Sequence, residues 1–330
     1  MKWIAIGVKI GISGLLAWLV LEHVDFAAAG ALLRSDRGAA ALVLAIAMLL
    51  GQAALAGART ACVMRLLGAR CSIARGFAVW MVGLLVSQTL ITFIAGDAAR
   101  VWQLARLGYA PRLASSAVVL ERALGLVVLL ALVLLCEPVL LARASPGAVR
   151  TGLTILAIVC AGGILAFAAS GFLGGLQRLL PARVRNHRLV GIALDVASVA
   201  RHLTRSWKLG AAIVAASVVM QFCNVLAMFV LARAVGLSVD LLATAAVTLP
   251  ALLIATMPIA LAGWGVREGA VIVGYGIFGV ASAPALAVSV AFGLAMLAAS
   301  LPGALFIRWS KEKRAAAPAQ AALRPPASLI

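Results

Sequence analysis

A chain of 330 residues that is 65% hydrophobic and only 12% charged, with a mean hydropathy of +1.13, has the composition of a polytopic membrane protein and excludes a soluble globule. Its net charge of +18 would suggest nucleic acid in a soluble protein. Here the Lys and Arg residues sit in connections between apolar runs, as the positive-inside rule requires, so the expected partners are the bilayer and its lipids and not nucleic acid. Five cysteines without a Cys-x-x-Cys pair indicate neither a disulfide framework nor a zinc site, and no metal or cofactor is expected.

Taken in order, the first apolar run, Trp3 to Leu21, starts like a signal peptide. It lacks a small-residue cleavage site before Glu22-His23, so it reads as a retained helix. Further runs near the twenty residues needed to cross occupy about 39–58, 114–136, 151–170, 209–232 and 284–307. Two more, about 76–95 and 242–262, lead into short charged segments. The longest polar connection runs from about Ser170 to Lys208, and residues 310–330 form an Ala/Pro-rich basic tail predicted to be disordered. Neither leaves room for a catalytic domain, so residues 1–309 are read as one transmembrane domain. Within the connection, Leu189, Ile192, Val196, Val199 and Leu203 recur at helical spacing opposite Arg188, Asp195 and His202. This fits a helix lying on the inner leaflet, or one packed on the end of the bundle.

The first charged segment is Ile94-Ala95-Gly96-Asp97-Ala98-Ala99-Arg100, and its pattern Ala-Gly-x-x-x-Arg returns 167 residues later in Ala262-Gly263-Trp264-Gly265-Val266-Arg267-Glu268. A Gly-Leu pair follows each copy, Gly125-Leu126 and Gly293-Leu294. An acid beside an arginine inside a bilayer is costly and marks a functional place. If all eight apolar runs cross, 14 Lys and Arg fall inside and 12 outside. If 76–108 enters and leaves on the cytoplasmic face, and 242–282 on the outer face, the division becomes 21 and 5, with Arg122 and Arg267 uncounted inside apolar segments. That asymmetry favours an all-α fold of six spanning helices plus two oppositely oriented re-entrant hairpins over an eight-span bundle. The halves, about 39–136 and 209–307, would then be inverted repeats, with both termini in the cytoplasm.

Gly96, Gly263 and Gly265 are candidates for the tight or positive-φ turns at which half-helices reverse. Such turns leave N–H groups facing into the membrane, suited to a phosphate. Arg100 and Arg267 would add planar, bidentate contacts to it. The competing reading is structural: Asp97 pairs with Arg100 across i,i+3, and Arg267 with Glu268 or a backbone carbonyl. Glu121 and Arg122 lie one to two turns inside the fourth run, diverging by about 100°. Arg122 is placed to snorkel. Glu121 is too short for that and is expected to face the interior, pairing with Arg100 or Arg267 or taking up a proton. Gln88, Gln221 and Asn224 suit hydrogen bonds between helices. No metal-binding helix, Gly-rich strand-to-helix loop or nucleophile set has distinctive spacing, so no catalytic residue is assigned and an enzyme is not expected.

Gly96-Asp97-x-x-Arg100, the helix opening at Ser115-Ser116 with Glu121-Arg122 and Gly125, and Pro258 followed by Gly263-Trp264-Gly265-Val266-Arg267-Glu268-Gly269 resemble the transmembrane, flippase-like domain of the lysylphosphatidylglycerol synthase family. The similarity spans nearly the whole chain. Ile91 stands where the second copy has Pro258, and Asp97 where many relatives carry Glu. The resemblance implies a multi-pass protein of the bacterial inner membrane that flips a phospholipid, aminoacyl-lipid, glycolipid or hopanoid-type lipid between leaflets, without the family's soluble aminoacyl-transferase domain. A different expectation is a non-catalytic membrane partner that presents lipid to a separately encoded lipid- or sugar-modifying enzyme. In either case Asp97, Arg100, Glu121, Arg267 and Glu268 are the expected lipid-binding residues.

Overall fold

The computed structural model describes residues 35–89, 93–173, 206–256 and 265–307. The first apolar run, the helically spaced stretch 189–203 and the basic tail lie outside them. Among the described residues there are nine helices and no strand: α1 (Asp36–Leu66), α2 (Ile73–Thr89), α3 (Phe93–Arg106), α4 (Pro111–Leu141), α5 (Ala148–Leu173), α6 (Trp207–Ala234), α7 (Leu241–Ala255), α8 (Val266–Gly276) and α9 (Ser282–Ser300). Five of these, α1, α4, α5, α6 and α9, are long and apolar enough to cross a membrane. They coincide with five of the six runs expected to span. The shorter apolar helices α2 and α7 coincide with the two runs that lead into the charged segments.

The helix starts are written locally. Ser35 caps α1 by accepting from the Gly38 N–H at 3.1 Å, and Asp240 caps α7 by accepting from the Ala243 N–H at 2.6 Å. Pro111 opens α4 at a position where a missing N–H is harmless. At 31 residues, α1 extends about 46 Å, well beyond a hydrocarbon core of roughly 30 Å. It therefore carries Arg59, which lies beyond the apolar run at 39–58, as part of the helix.

Small residues set the packing. On α1, Ala41, Ala45, Leu49, Ala53 and Ala56 recur every three or four residues, and all are buried. A stripe of small side chains lets backbones approach closely, which is how helices associate where lipid removes the hydrophobic drive. The packed pairs keep their pattern when α1, α2, α3 and α4 are exchanged for α6, α7, α8 and α9. Thus α1 packs on α2 as α6 does on α7, α2 on α3 as α7 on α8, α3 on α4 as α8 on α9, and α4 on α7 as α9 on α2. Helix α5 stands outside this exchange. It leans on α4 and turns Ile155, Ile158, Val159 and Leu165 outward, an apolar face suited to acyl chains.

The loops locate the ends of the short helices. Tyr109, after α3, donates its hydroxyl to the carbonyl of Arg70, before α2, at 2.8 Å. The outer ends of α2 and α3 therefore meet beside the start of α4. At the far end of α4, the Arg143 guanidinium lies 5.0 Å from the ring centroid of Phe278, just after α8. The open end of α2/α3 and the end of α8 thus flank opposite ends of α4.

Candidate functional site

The inner ends of α2 and α3 are held together by two glycines. A Cβ on Gly96 would come within 2.7 Å of the Gly83 carbonyl oxygen and 2.8 Å of Ser87 Cβ. Gly96 was expected to turn the chain; instead it sits in the first turns of α3, where its lack of a side chain permits close packing. Gly83 faces it and leaves room for the Arg100 stem, since a Cβ there would come within 2.6 Å of Arg100 Cδ. The second copy differs. Gly265 has φ 86° immediately before α8, a left-handed conformation that favours glycine, and its N–H donates to the Glu268 carboxylate at 2.5 Å. Gly263 lies outside the described residues.

Arg100 reaches across to α4, where its Nη2 donates to Glu121 Oε2. Arg59 approaches the same oxygen from α1 at 3.9 Å and donates to Ser217 Oγ on α6 at 3.1 Å. Both guanidiniums lie against the Trp80 ring, 4.6 Å from its centroid for Arg100 and 5.3 Å for Arg59, within cation–π range. All three charged groups are withdrawn from solvent: Arg59 is 6% exposed, Arg100 5% and Glu121 1%. The i,i+3 contact of Asp97 with Arg100 is present but long, at 3.8 Å, while Asp97 lies 3.3 Å from Arg122. Arg122, expected to snorkel, has this partner and keeps its side chain 44% exposed.

Arg267 donates through Nε and Nη2 to Oε1 of Glu268, the former at 3.0 Å. Ser289 on α9 donates to the same oxygen at 3.3 Å. Glu268 therefore serves three groups at once: it closes the first turn of α8, neutralises Arg267 and accepts from α9. Asn224 donates to Gln221 at 3.1 Å. That bond lies within α6 rather than between helices, because residues three apart share one face.

These side chains border one cavity of about 370 Å³. Asp97, Arg100, Glu121 and Arg267 all line it, and Glu268 stands behind Arg267. Sequence reasoning missed Arg59, Trp80 and the role of Arg122, which also form its wall. Gln52 and Arg59 lie two turns apart on α1, and both reach the cavity. The remaining wall mixes apolar side chains, among them Leu49, Leu126, Leu129, Met220 and Met296, with the polar Gln52, Ser87, Gln88, Gln221, Asn224 and Thr256. No group of three or more His, Cys, Asp or Glu suited to a metal occurs among the described residues.

Buried arginines and apolar side chains thus border one cavity inside a multi-pass helical membrane protein. Residues 4–303 match the lysylphosphatidylglycerol synthase TM region, and the chain belongs to that family of membrane-embedded proteins associated with lipid handling. No curated protein matches it.

Proposed function

We propose that the protein flips a phospholipid or other polar lipid between the leaflets of the bacterial inner membrane, as a carrier and not an enzyme. One observation carries this reading: the inner ends of both short-helix pairs, α2/α3 and α7/α8, border the same cavity, contributing Arg100 from one and Arg267 from the other. In this reading the pairs are re-entrant hairpins that enter from opposite faces. Support comes from the division of basic residues, 21 to 5 by sequence and still 19 to 5 with the buried Arg59 and Arg100 set aside, and from the positions of the helix ends about α4. The exchange pattern of packed helices supports an inverted repeat of the two halves, a design in which broken helices build a substrate site near the midplane. Both termini then lie in the cytoplasm.

Reconstitution of the purified chain in vesicles tests the function. Labelled lipid crosses unaided if the protein is a carrier, whereas a partner that presents lipid to another enzyme binds the label and moves none. Topology has its own test. After removal of the five free cysteines, single cysteines at the exposed Ser115 and Ser282 should label from the cytosolic and periplasmic sides respectively, and labelling of both from one side would exclude opposed hairpins.

Arg100 and Arg267 are proposed to hold one head-group phosphate. Each charge-assisted contact is worth about 1.5–3 kcal/mol, so Arg→Ala at either position should weaken lipid binding by ~10- to 150-fold. Arg→Lys should recover only part, because an ammonium lacks the planar fork. The double substitution should cost less than the two singles together, since the second loss falls on a site that no longer orders the phosphate. Strictly additive losses in a double-mutant cycle would place the arginines in separate sites.

A further inference from the structure

We infer a second site, apart from the central cavity: the connection between α1 and α2 holds the phosphate of a lipid head group in the leaflet at that end of the bundle. Arg65 in the last turn of α1, Arg70 in the connection and Arg75 in the first turn of α2 border one cavity of about 510 Å³, together with Cys71 and Ser72. None of these residues borders the central cavity, so the inference stands or falls apart from the carrier reading. Among the described residues no carboxylate lies in an ion pair with any of the three arginines.

The connection has a fixed backbone. Gly68 turns the chain out of α1 with a φ of 83°, and the Ala69 N–H bonds back to the Met64 carbonyl at 2.8 Å. Ala69 and Cys71 are buried in the cluster that includes Met64, Leu104 and Ala114, so Arg70 and Ser72, which alternate with them, face outward. Ser72 accepts from the Arg75 N–H at 3.3 Å, and Tyr109, whose hydroxyl holds the Arg70 carbonyl, stands beside Arg75. Only side chains remain to be ordered when an anion binds, which keeps the cost of binding low. Planar guanidinium forks match phosphate oxygens. Arg75 also adds a cation to the first turn of α2, which has no acidic residue and where the helix dipole already favours an anion. Two features point to a lipid as the source of the phosphate. Arg65 lies seven residues past the apolar run at 39–58, about 10 Å along the helix and so near the head groups. Ile73, 56% exposed, sets an apolar side chain beside the arginines, where a lipid has hydrocarbon to meet it and a free anion has none.

The test is arginine footprinting of the native full chain with phenylglyoxal, an uncharged reagent, mapped by peptide mass spectrometry. Nanodiscs of phosphatidylglycerol are compared with nanodiscs of an uncharged glycosyl diacylglycerol. The exposed Arg112, at the start of α4, reports the general effect of bilayer charge. Relative to Arg112, the three arginines should react about tenfold more slowly in phosphatidylglycerol, the factor for a lipid at ten times its Kd. Arg70→Gln should return Arg65 and Arg75 about two- to fivefold toward their unprotected rates, and Arg112→Gln should leave both as they are. Equal slowing of Arg112, or unchanged protection in Arg70→Gln, would reduce the cluster to diffuse surface charge and overturn the site. Slow reaction of the three already in the uncharged bilayer would mean that a carboxylate of the chain fills the place, which overturns it as well. Equal protection by inorganic phosphate added to the uncharged nanodiscs would keep the phosphate and overturn the lipid.

Discussion

Replacing Glu121 with alanine is expected to cost about 3–5 kcal/mol of stability, because it breaks a buried ion pair from one side and leaves charge behind. Arg59 and Arg100 converge on this carboxylate from different helices. Without it, Arg100 retains the Asp97 contact at 3.8 Å and Arg59 the Ser217 hydroxyl, and both keep the Trp80 ring, but neither keeps a close carboxylate. Glu121→Gln preserves shape and an acceptor oxygen and should fall between the native protein and Glu121→Ala. Combining Glu121→Ala with Arg59→Met should restore part of the loss, since it removes one of the two stranded cations together with their counter-ion. Thermal unfolding in one detergent across the four proteins measures this. If the double variant were no more stable than Glu121→Ala, stranded charge would not be the cause.

Glu268→Ala is expected to destabilise on a similar scale, about 3–5 kcal/mol, for a different combination of reasons. Glu268 is 1% exposed and accepts from the Gly265 N–H, from Arg267 and from Ser289. Its loss uncaps α8 and leaves the buried Arg267 without its carboxylate. Glu268→Gln keeps an acceptor for the helix start but not the charge, so it should be intermediate. Ser289→Ala removes a single neutral donor and should cost only about 1 kcal/mol. Unfolding midpoints for the three variants should therefore order as alanine, glutamine and then Ser289→Ala, from least to most stable. A Ser289→Ala loss as large as that of Glu268→Ala would mean that the contact with α9, not the ion pair, dominates.

The crossing helices were legible because hydropathy reports what lipid requires: uninterrupted apolar length. The recurrence around Arg100 and Arg267 was legible too, since charge within such runs is rare, and the structure brings both arginines to one cavity. Arg59 was not, because hydropathy marks where apolar residues stop rather than where the helix stops, and α1 continues to Leu66. Gly96 shows a second kind of ambiguity. Glycine suits both a turn and a close helix crossing, and only the opposing Gly83 carbonyl reveals which one operates. Gly265 precedes a helix whose third residue is Glu268, an arrangement in which a side chain can reach back to the helix start. Trp80 gave no signal at all, because an aromatic ring in an apolar run reads as ordinary packing until two guanidiniums are seen against it.

The two arginines differ in where their counter-ions are anchored. Arg100 on α3 is neutralised by Glu121 on α4, whereas Arg267 is neutralised by the next residue of its own helix. Sliding α2/α3 along α4 parts a buried ion pair, at a cost of several kcal/mol. Sliding α7/α8 past α9 parts the Ser289 hydroxyl from Glu268 and Arg267 from the Phe292 ring, which lies 5.7 Å from it, contacts worth about 1 kcal/mol each. The pairs are therefore tied unequally: α2/α3 is moored to α4 by charge, while Arg267 has its neutralising carboxylate on its own helix. In the proposed carrier, a stroke by α7/α8 against a stationary α2/α3 would leave the ion pair between Arg100 and Glu121 intact.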